Sequence, residues 1–258
     1  MSKQKGAAPD PMRRLALLWG SHTEAGRSGL TIKAIVTAAM EIADSEGLDA
    51  LSMRRVADRL NAGTMSLYTH IPSKTELVDL MMDTAYGEAY QRVEEPSEQP
   101  GDWRDAMRFV ARRNWELYLA HPWMLQTFTD RPAIGPQVSI KYEAELRPLD
   151  GIGLSDVEID AVLTLIITHV EGCARTMIAH RRTQEDTGMT DAEWWEVQGP
   201  LLDKVMSARA VHLPLANRVG AAAGQEHQAL SNPEFMLNFG LERILAGITE
   251  LIQSRRTG

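Results

Sequence analysis

The sequence predicts an all-α protein in two parts: a small N-terminal domain with helix-turn-helix spacing and a larger helical C-terminal domain. Apolar residues recur at the spacing of one helix face through most of the chain, and capping residues precede several of these segments. We find no strand-like alternation and no internal repeat. The predicted boundaries are a flexible arm over 1–28, the first domain over 29–92 and the second over 102–258.

Composition is that of an ordinary globular protein. Hydrophobic residues make up 44% and charged residues 24%, which is enough apolar material for a sizeable core. The single cysteine, Cys173, cannot form an intrachain disulfide, and this indicates a reducing compartment. The longest mainly apolar run, 161–167, is far shorter than the roughly 20 residues of a membrane span. We therefore expect a cytoplasmic protein with no membrane partner.

Charge is distributed unevenly along the chain. The net charge of −8 taken whole argues against a nucleic-acid partner. However, residues 1–74 hold ten Lys/Arg and seven Asp/Glu, a net of +3, and the remainder holds 17 and 28, a net of −11. A basic N-terminal region on an otherwise acidic protein steers that end of the molecule toward phosphates. The asymmetry favours DNA only weakly.

The first two helices are marked by clear start and stop signals. Apolar residues at helical spacing begin after Thr31, and Gly47 is expected to end that helix because glycine readily adopts a left-handed conformation. A second, short helix opens at Ser52, whose hydroxyl can cap free backbone amides. Before them, the arm over 1–28 has no sustained period; with Arg27 it could enter a minor groove or be disordered.

A tight turn over 61–63 follows, since Asn and Gly both tolerate positive φ. Thr64 is predicted to cap a third helix of about seven residues, and Pro72 ends it. A capping box at 73–76 then opens a fourth helix that runs to about Tyr90.

The segment 52–71 has the helix, turn and short helix that are typical of a DNA-binding helix-turn-helix. A small helical bundle with no DNA role has the same pattern. After a hinge or loop over 94–101, the remaining segments all read as helix. Their predicted ranges are 102–120, 123–128, 138–146, 156–182, a helix from Thr190 and 232–254.

The two long helices carry the candidate dimer interface. The first has a stripe of small residues that allows a second backbone to approach, and the last has apolar residues at near-heptad spacing. Paired with their copies they could form a four-helix bundle on a two-fold axis, although intramolecular packing explains the stripes equally well. The predicted interface residues are Leu165, Thr168, Gly172, Thr176, Leu237, Gly240, Leu241, Ile244, Gly247, Ile248 and Leu251.

The segment 51–77, LSMRRVADRLNAGTMSLYTHIPSKTEL, resembles the DNA-binding domain of the TetR (tetracycline repressor) family. Segment 239–248, FGLERILAGI, is similar to the closing helix of the family's C-terminal domain. The resemblance implies a homodimeric, usually repressing regulator whose C-terminal domain binds a small molecule. Asn61 stands where the family commonly has glycine. The residues that match the family pattern without a gap are Ser52, Arg54, Val56, Ala57, Leu67, Tyr68, His70 and Lys74.

The third helix is then the recognition helix, lying in the major groove of operator DNA. Met65 near its start suits a thymine methyl, and Arg54 could bind guanine or a phosphate. Tyr68 has a structural alternative, packing on the first helix. Lys74 is expected to clamp a phosphate. The candidate DNA-binding residues are Ser52, Arg54, Arg55, Thr64, Met65, Ser66, Tyr68, Thr69, His70 and Lys74.

A candidate effector pocket is suggested by large apolar side chains mixed with a few polar tips. Such a pocket favours a mostly apolar ligand, and the alternative is that these residues are core. No cofactor is expected. The candidate residues are Trp115, Tyr118, His121, Trp123, Met124, Phe128, His169, Cys173, Met177, Trp194 and Trp195.

An enzyme is the alternative class of function. His169 and Cys173, four residues apart, share a helix face and could act as base and nucleophile or bind metal. However, two ligands do not close a zinc site, and none of the motifs HExxH, CxxC, P-loop or GxSxG is present. We therefore expect neither catalysis nor a metal site. A helical dimeric scaffold without DNA binding is the remaining alternative.

Overall fold

The computed structural model describes residues 11–20, 30–127, 134–208, 213–227, 229 and 231–256. Every regular element in these ranges is helical, which confirms the all-α fold class. The chain divides into two compact units, residues 1–167 with 251–258 and residues 168–250. The segment predicted to bind DNA and the first helices after it therefore belong to one unit.

The helices follow the chain in a simple order. The first seven are α1 (Pro11–Trp19), α2 (Ile32–Glu46), α3 (Met53–Arg59), α4 (Thr64–His70), α5 (Lys74–Tyr86), α6 (Trp103–Ala120) and α7 (Pro136–Leu146). The last four are α8 (Asp156–Thr187), α9 (Asp191–Ala208), α10 (Pro214–His227) and α11 (Pro233–Arg256). Short 3₁₀ turns lie at Leu48–Ala50, Pro122–Gln126 and Arg147–Leu149. Of these described helices, none is long and apolar enough to cross a membrane.

Capping side chains set several helix starts, as the sequence predicted for Ser52 and Ser73. The hydroxyl of Thr31 accepts from Ala34 N–H, and that of Ser52 accepts from Arg55 N–H. Ser73 likewise accepts from the backbone of α5. Each such bond satisfies an amide that has no partner within the helix. At the end of α2, Gly47 has the positive φ expected there, 83°, but its ψ of 163° is extended rather than left-handed helical.

Four predicted boundaries were wrong or missing. Thr64 does not cap α4: the cap position is Gly63, and Thr64 is the first helical residue. Helix α5 ends at Tyr86 rather than Tyr90, with Gly87 at its cap position. Helix α8 runs five residues beyond 182, and α10 was not predicted.

The prediction of a flexible arm was wrong for residues 11–19, which form α1. This helix is held by tertiary contacts: Leu18 is only 3% exposed, and the Arg14 guanidinium forms two 2.6 Å hydrogen bonds with Asp79 of α5. Trp19 Nε1–H donates to the Ile134 carbonyl at 2.9 Å. A nine-residue helix is marginal in isolation, so its sequence signal was weak. The rest of the arm, with Arg27, lies outside the described residues.

Helices α2, α3, α4 and α5 share one apolar core. Burial of each such side chain stabilises the fold by roughly 1.5–3 kcal/mol. Those that are 0 to 2% exposed include Ile35, Ile42, Val56, Leu67, Ile71 and Leu77.

A buried polar cluster joins α6 and α7. Glu145, 2% exposed, accepts from Lys141 Nζ at 2.8 Å, from Asn114 Nδ2 at 2.6 Å and from the Tyr90 hydroxyl at 2.9 Å. The ammonium of Lys141 also lies 5.2 Å from the centroid of the Tyr86 ring. Buried charges need such partners because leaving water is costly for each ion.

Candidate nucleic-acid interface

Helices α3 and α4 are joined by a turn over 60–63. Asn61 adopts φ of 50°, the one positive φ of a non-glycine residue in the described ranges. Ala62 N–H donates to the Ala57 carbonyl at 2.9 Å and closes the turn. Asparagine is among the few residues that accept this left-handed conformation, so it replaces glycine here at small cost.

Helix α4 has one buried face and one exposed face. Leu67 is fully buried and anchors the helix to the core, as does Ile71 just after it. On the opposite side, Met65 is 76% exposed and Tyr68 is 42% exposed. Tyr68 is thus partly covered and partly open to solvent, and both of its predicted roles stay open. The helix therefore presents side chains that its own chain does not cover.

The three arginines of α3 differ in their partners. Arg55 binds Glu46 at 2.5 Å, and this hydrogen bond raises the pKa of Arg55 and lowers that of Glu46. Arg59 binds Glu41 at 2.8 Å. Both acids lie on α2. Arg54, whose side chain is 84% exposed, contacts among the described residues only the carboxylate of Asp58, at 3.9 Å and one turn along its own helix. Arg54 is thus the arginine of α3 best placed to meet a phosphate or a base.

The remaining predicted DNA-binding residues surround this face. The Lys74 ammonium is exposed at the first turn of α5 and donates to the Leu48 carbonyl at 3.2 Å. Thr69 Oγ1 donates to the Ser66 carbonyl at 2.6 Å, so its hydroxyl proton is used within the helix. Thr64 and His70, at the two ends of α4, are half-buried.

Those predicted pocket residues of the first unit that the structure describes are all buried. Trp115, Tyr118 and Met124 are 2 to 4% exposed. The polar tips of the other two are already used: His121 and Trp123 both bind Asp44 of α2. Nδ1 of His121 lies 2.8 Å and Nε1 of Trp123 lies 2.6 Å from Oδ1 of Asp44. In this structure these tips bind the DNA-binding segment, and their role toward an effector stays a prediction.

His121 lies between two carboxylates. Its Nε2 is 3.1 Å from Glu88, and its Nδ1 contacts Asp44. Burial acts to lower the pKa of His121, but hydrogen bonds to the two carboxylates outweigh it, and the pKa is raised. The charged imidazolium is thereby favoured at this junction.

The other predicted pocket residues lie in the second unit. His169 Nε2 donates to the Leu237 carbonyl at 3.0 Å, and the Cys173 thiol lies 3.9 Å from the same nitrogen. The rings of Trp194 and Trp195 are 6.0 Å apart, and Trp194 is 39% exposed. Met177 is half-buried on α8. Phe128 lies outside the described residues.

The predicted dimer residues fall into two groups. Leu237, Leu241 and Ile248 are at most 6% exposed within the single chain, so they are core rather than contact surface. Gly240 also serves the chain itself: a Cβ there would overlap the imidazole of His169. The near-heptad spacing identified a buried stripe but not the helix that covers it. The half-buried or exposed residues are Leu165, Thr168, Gly172, Thr176, Ile244, Gly247 and Leu251.

Sequence reasoning missed the residues that join α2 and α5 to the later helices. Asp44, Asp83 and Glu88 each lie on a helix face or helix end where a solvated carboxylate is the ordinary expectation. Their partners are distant in sequence, so no local pattern could have identified them. Within the described ranges, no three His, Cys, Asp or Glu side chains cluster as metal ligands.

Comparison with known proteins agrees with this geometry. Residues 35–81 match the family model "Bacterial regulatory proteins, tetR family", and residues 95–252 match "Tetracyclin repressor-like, C-terminal domain". The HTH-type transcriptional repressor DrrR1 of Streptomyces coeruleorubidus is 38% identical over 99% of this chain and 92% of that protein.

Solved structures of TetR-family proteins also resemble this chain. Apo ActR from Streptomyces coelicolor superposes with a TM-score of 0.66 at 27% identity, over 88% of this chain and 98% of ActR. The ActR complex with actinorhodin gives 0.63 at 26% identity, over 86% and 98%.

A helix-turn-helix with an outward-facing second helix, followed by a helical effector domain, defines a ligand-responsive, DNA-binding transcriptional regulator. The chain belongs to the TetR family.

Proposed function

We propose that this protein is a repressor that binds a palindromic operator as a homodimer and leaves it when a small, mostly apolar effector binds. The exposure pattern of α4 carries the proposal. Leu67 holds the helix to the core at 0% exposure while Met65 projects with 76% exposed. A helix anchored in this way can enter a major groove without rearrangement of its own domain.

Each exposed side chain of this face has a chemical role toward DNA. Met65 and Tyr68 offer apolar surface to thymine methyl groups, and the Arg54 guanidinium can form two parallel hydrogen bonds with guanine or phosphate. Lys74 lies where phosphate contacts set the register of the protein on the duplex. The supporting residues around them are Ser52, Arg55, Thr64, Ser66, Thr69 and His70.

Homodimerisation is supported by exposed apolar surface on α11. Phe239 is 54% exposed, stacks on Phe235 at 5.8 Å and carries the Arg243 guanidinium 5.1 Å above its ring. On α8, Thr168 and Gly172 are exposed and small. A second copy would cover such a surface. We expect Phe239→Glu to yield monomer in sedimentation velocity, with Val157→Glu, on the first turn of α8, as the control that stays dimeric.

The proposed effector class follows from the aromatic residues of the C-terminal domain. Met177, which is half-buried, and Trp194, which is 39% exposed, supply large apolar faces in the second unit. The ActR structure with actinorhodin supports an aromatic ligand, so actinorhodin is the probe of choice. Quenching of tryptophan fluorescence together with release from DNA would support the proposal. Quenching without release would contradict induction by this class.

The enzyme alternative is disfavoured by the His169–Cys173 geometry. Because Nε2 of His169 donates to a carbonyl, that nitrogen carries its proton and cannot take one from the thiol. Burial raises the pKa of the Cys173 thiol, which keeps it in the unreactive protonated form. The relatives reported above are named as transcriptional regulators, so we propose a non-catalytic role.

The decisive test is selection of bound duplexes from a random DNA pool at two salt concentrations. A specific site should bind roughly 10³ to 10⁷ times more tightly than scrambled DNA. Recovery of a palindrome with this margin supports a dimeric operator-binding protein. Weak, salt-sensitive binding without sequence preference, repeated after refolding the protein free of ligand, would overturn the proposal in favour of a scaffold.

A further inference from the structure

The first turn of α7 is capped by a side chain from another helix. Oδ1 of Asp83, on α5, accepts from the backbone N–H groups of Gln137 and Val138, both at 3.0 Å. The cap position of α7 itself is Gly135, which has no side chain to perform this role. Asp83 is only 7% exposed. A buried carboxylate at a helix N-terminus is stabilised by the free amides and by the helix dipole.

Glycine at position 135 makes this approach possible. A Cβ there would overlap Oδ1 and Cγ of Asp83. The backbone of Gly135, with φ of −91° and ψ of 175°, is extended and open to any residue. The requirement for glycine is therefore the closeness of the carboxylate and not backbone strain.

A second carboxylate makes a parallel connection nearby in the same unit. Asp44 of α2 accepts from Trp123 and contacts His121, both in the segment between α6 and α7. In both contacts the carboxylate comes from the DNA-binding segment, and the donors come from the segment that follows it. Charge-assisted hydrogen bonds of this kind are directional and short, so they fix orientation as well as add stability.

Helix α5 is the direct continuation of the recognition helix. Only residues 71–73 separate His70, the last residue of α4, from Lys74, the first of α5. Helix α2 packs against α3 and α5, and α3 packs against α4, so these helices form one core in which Leu67 and Leu77 are fully buried. Any rotation of α5 about its contact with α7 therefore carries α4 with it.

We propose that Asp83 is a positioning residue for operator binding: through its cap on α7 and the space left by Gly135, it sets the direction in which α4 is presented and hence the half-site spacing that the dimer accepts. The inference rests on the proposed operator-binding function. It assigns no DNA contact to Asp83, since the residue is buried and bound to α7.

The test uses the full-length protein and a duplex library built from the half-site that the wild type selects, with spacers of different length. Wild type should prefer one spacing. Asp83→Ala and Gly135→Ala should each weaken binding at that spacing by about tenfold and accept neighbouring spacings, with the half-site sequence unchanged. Asp83→Asn, which keeps the Oδ1 acceptor, should retain the wild-type preference.

The double variant makes the test specific to this contact. In the Asp83→Ala background, Gly135→Ala should have no further effect, because the carboxylate that its Cβ would overlap is gone. Additive effects of the two changes would overturn the proposal.

Melting temperature and circular dichroism separate positioning from folding. If the single variants lower stability or the active fraction but keep the wild-type spacing preference, Asp83 is merely structural and the proposal is overturned. If Asp83→Ala fails to fold, the spacing preference of Gly135→Ala alone tests the proposal, because that variant retains the carboxylate. A wild type that selects no duplex at all would instead refute operator binding itself.

Discussion

The indole N–H of Trp123 donates a 2.6 Å hydrogen bond to Oδ1 of Asp44, and so joins the first helix of the DNA-binding segment to the turn after α6. His121 reinforces this contact through the same carboxylate oxygen. Asp44 and Trp123 lie 79 positions apart in sequence. Because of such contacts, the loop over 94–101 does not separate the two segments into different units.

The arginines of α3 provide a matched test of DNA recognition. We expect Arg54→Ala to weaken binding to the selected operator by about 10- to 100-fold, since a base or phosphate contact of this kind contributes about 1–3 kcal/mol. Arg59→Ala is the control, because Arg59 is paired with Glu41 on the same domain. Fluorescence anisotropy on the operator and on scrambled DNA measures both. Equal losses from the two variants would contradict the assignment.

Stability should depend on pH through His121. Its pKa is raised from 6.5, so its contribution to stability is complete below the unfolded value and is lost as pH rises through the higher folded value. The groups that face the imidazole are the carboxylates of Asp44 and Glu88. Urea unfolding at about pH 6 and about pH 9 should therefore show wild type exceeding His121→Gln by more at the lower pH. A difference that is constant with pH, or that grows toward pH 9, would refute this role.

The buried pair of Lys141 and Glu145 should show strong coupling. Lys141→Met leaves Glu145 charged and buried without its cation, and we expect a loss of about 3–5 kcal/mol in the free energy of unfolding. Glu145→Gln leaves the opposite charge uncompensated. The double variant removes both charges, so its cost should be well below the sum of the single costs.

Chemical denaturation of the four proteins measures this coupling. The exposed pair Arg147 and Glu143 serves as the control, with a coupling of at most about 1 kcal/mol. Additive costs at Lys141 and Glu145 would show that the two charges do not depend on each other.

Docking of α1 should depend on one buried side chain. Leu18 is 3% exposed, and Leu18→Ala should weaken the docking of α1 by about 2–4 kcal/mol through lost burial and the cavity left behind. Limited proteolysis is expected to cut within 11–20 much faster in this variant. Leu15→Ala, at a position 43% exposed, should leave the cleavage rate near that of wild type. The same rate in both variants would mean that Leu18 does not hold the helix.

Local sequence rules accounted for most helix starts and for the helix-turn-helix. Thr31, Ser52 and Ser73 cap the helices they were predicted to open, and Asn61 takes the left-handed conformation that its place in the turn requires. These features are readable because a cap or a turn involves residues within three or four positions of one another. The periodic apolar spacing likewise identified the faces that are buried.

Contacts between distant residues could not be derived in the same way. Periodicity marks a helix face as apolar but does not say what covers it, which is why a partner subunit and intramolecular packing explained Leu237 and Leu241 equally well; both lie in the core of one chain. Nor does any local pattern indicate that the polar tips of His121 and Trp123 bind Asp44.

The difference between what the sequence predicted and what only the structure showed has one physical cause. Helix propensity, capping and amphipathic spacing act along the chain over one or two turns, so the amino-acid order was enough to establish most of the helices, though not α1 and α10, and the class of DNA-binding motif. Pairing of a carboxylate with a donor 50 to 80 positions away depends on how the helices pack, and that packing alone brought Asp83 to the start of α7 and Asp44 to Trp123.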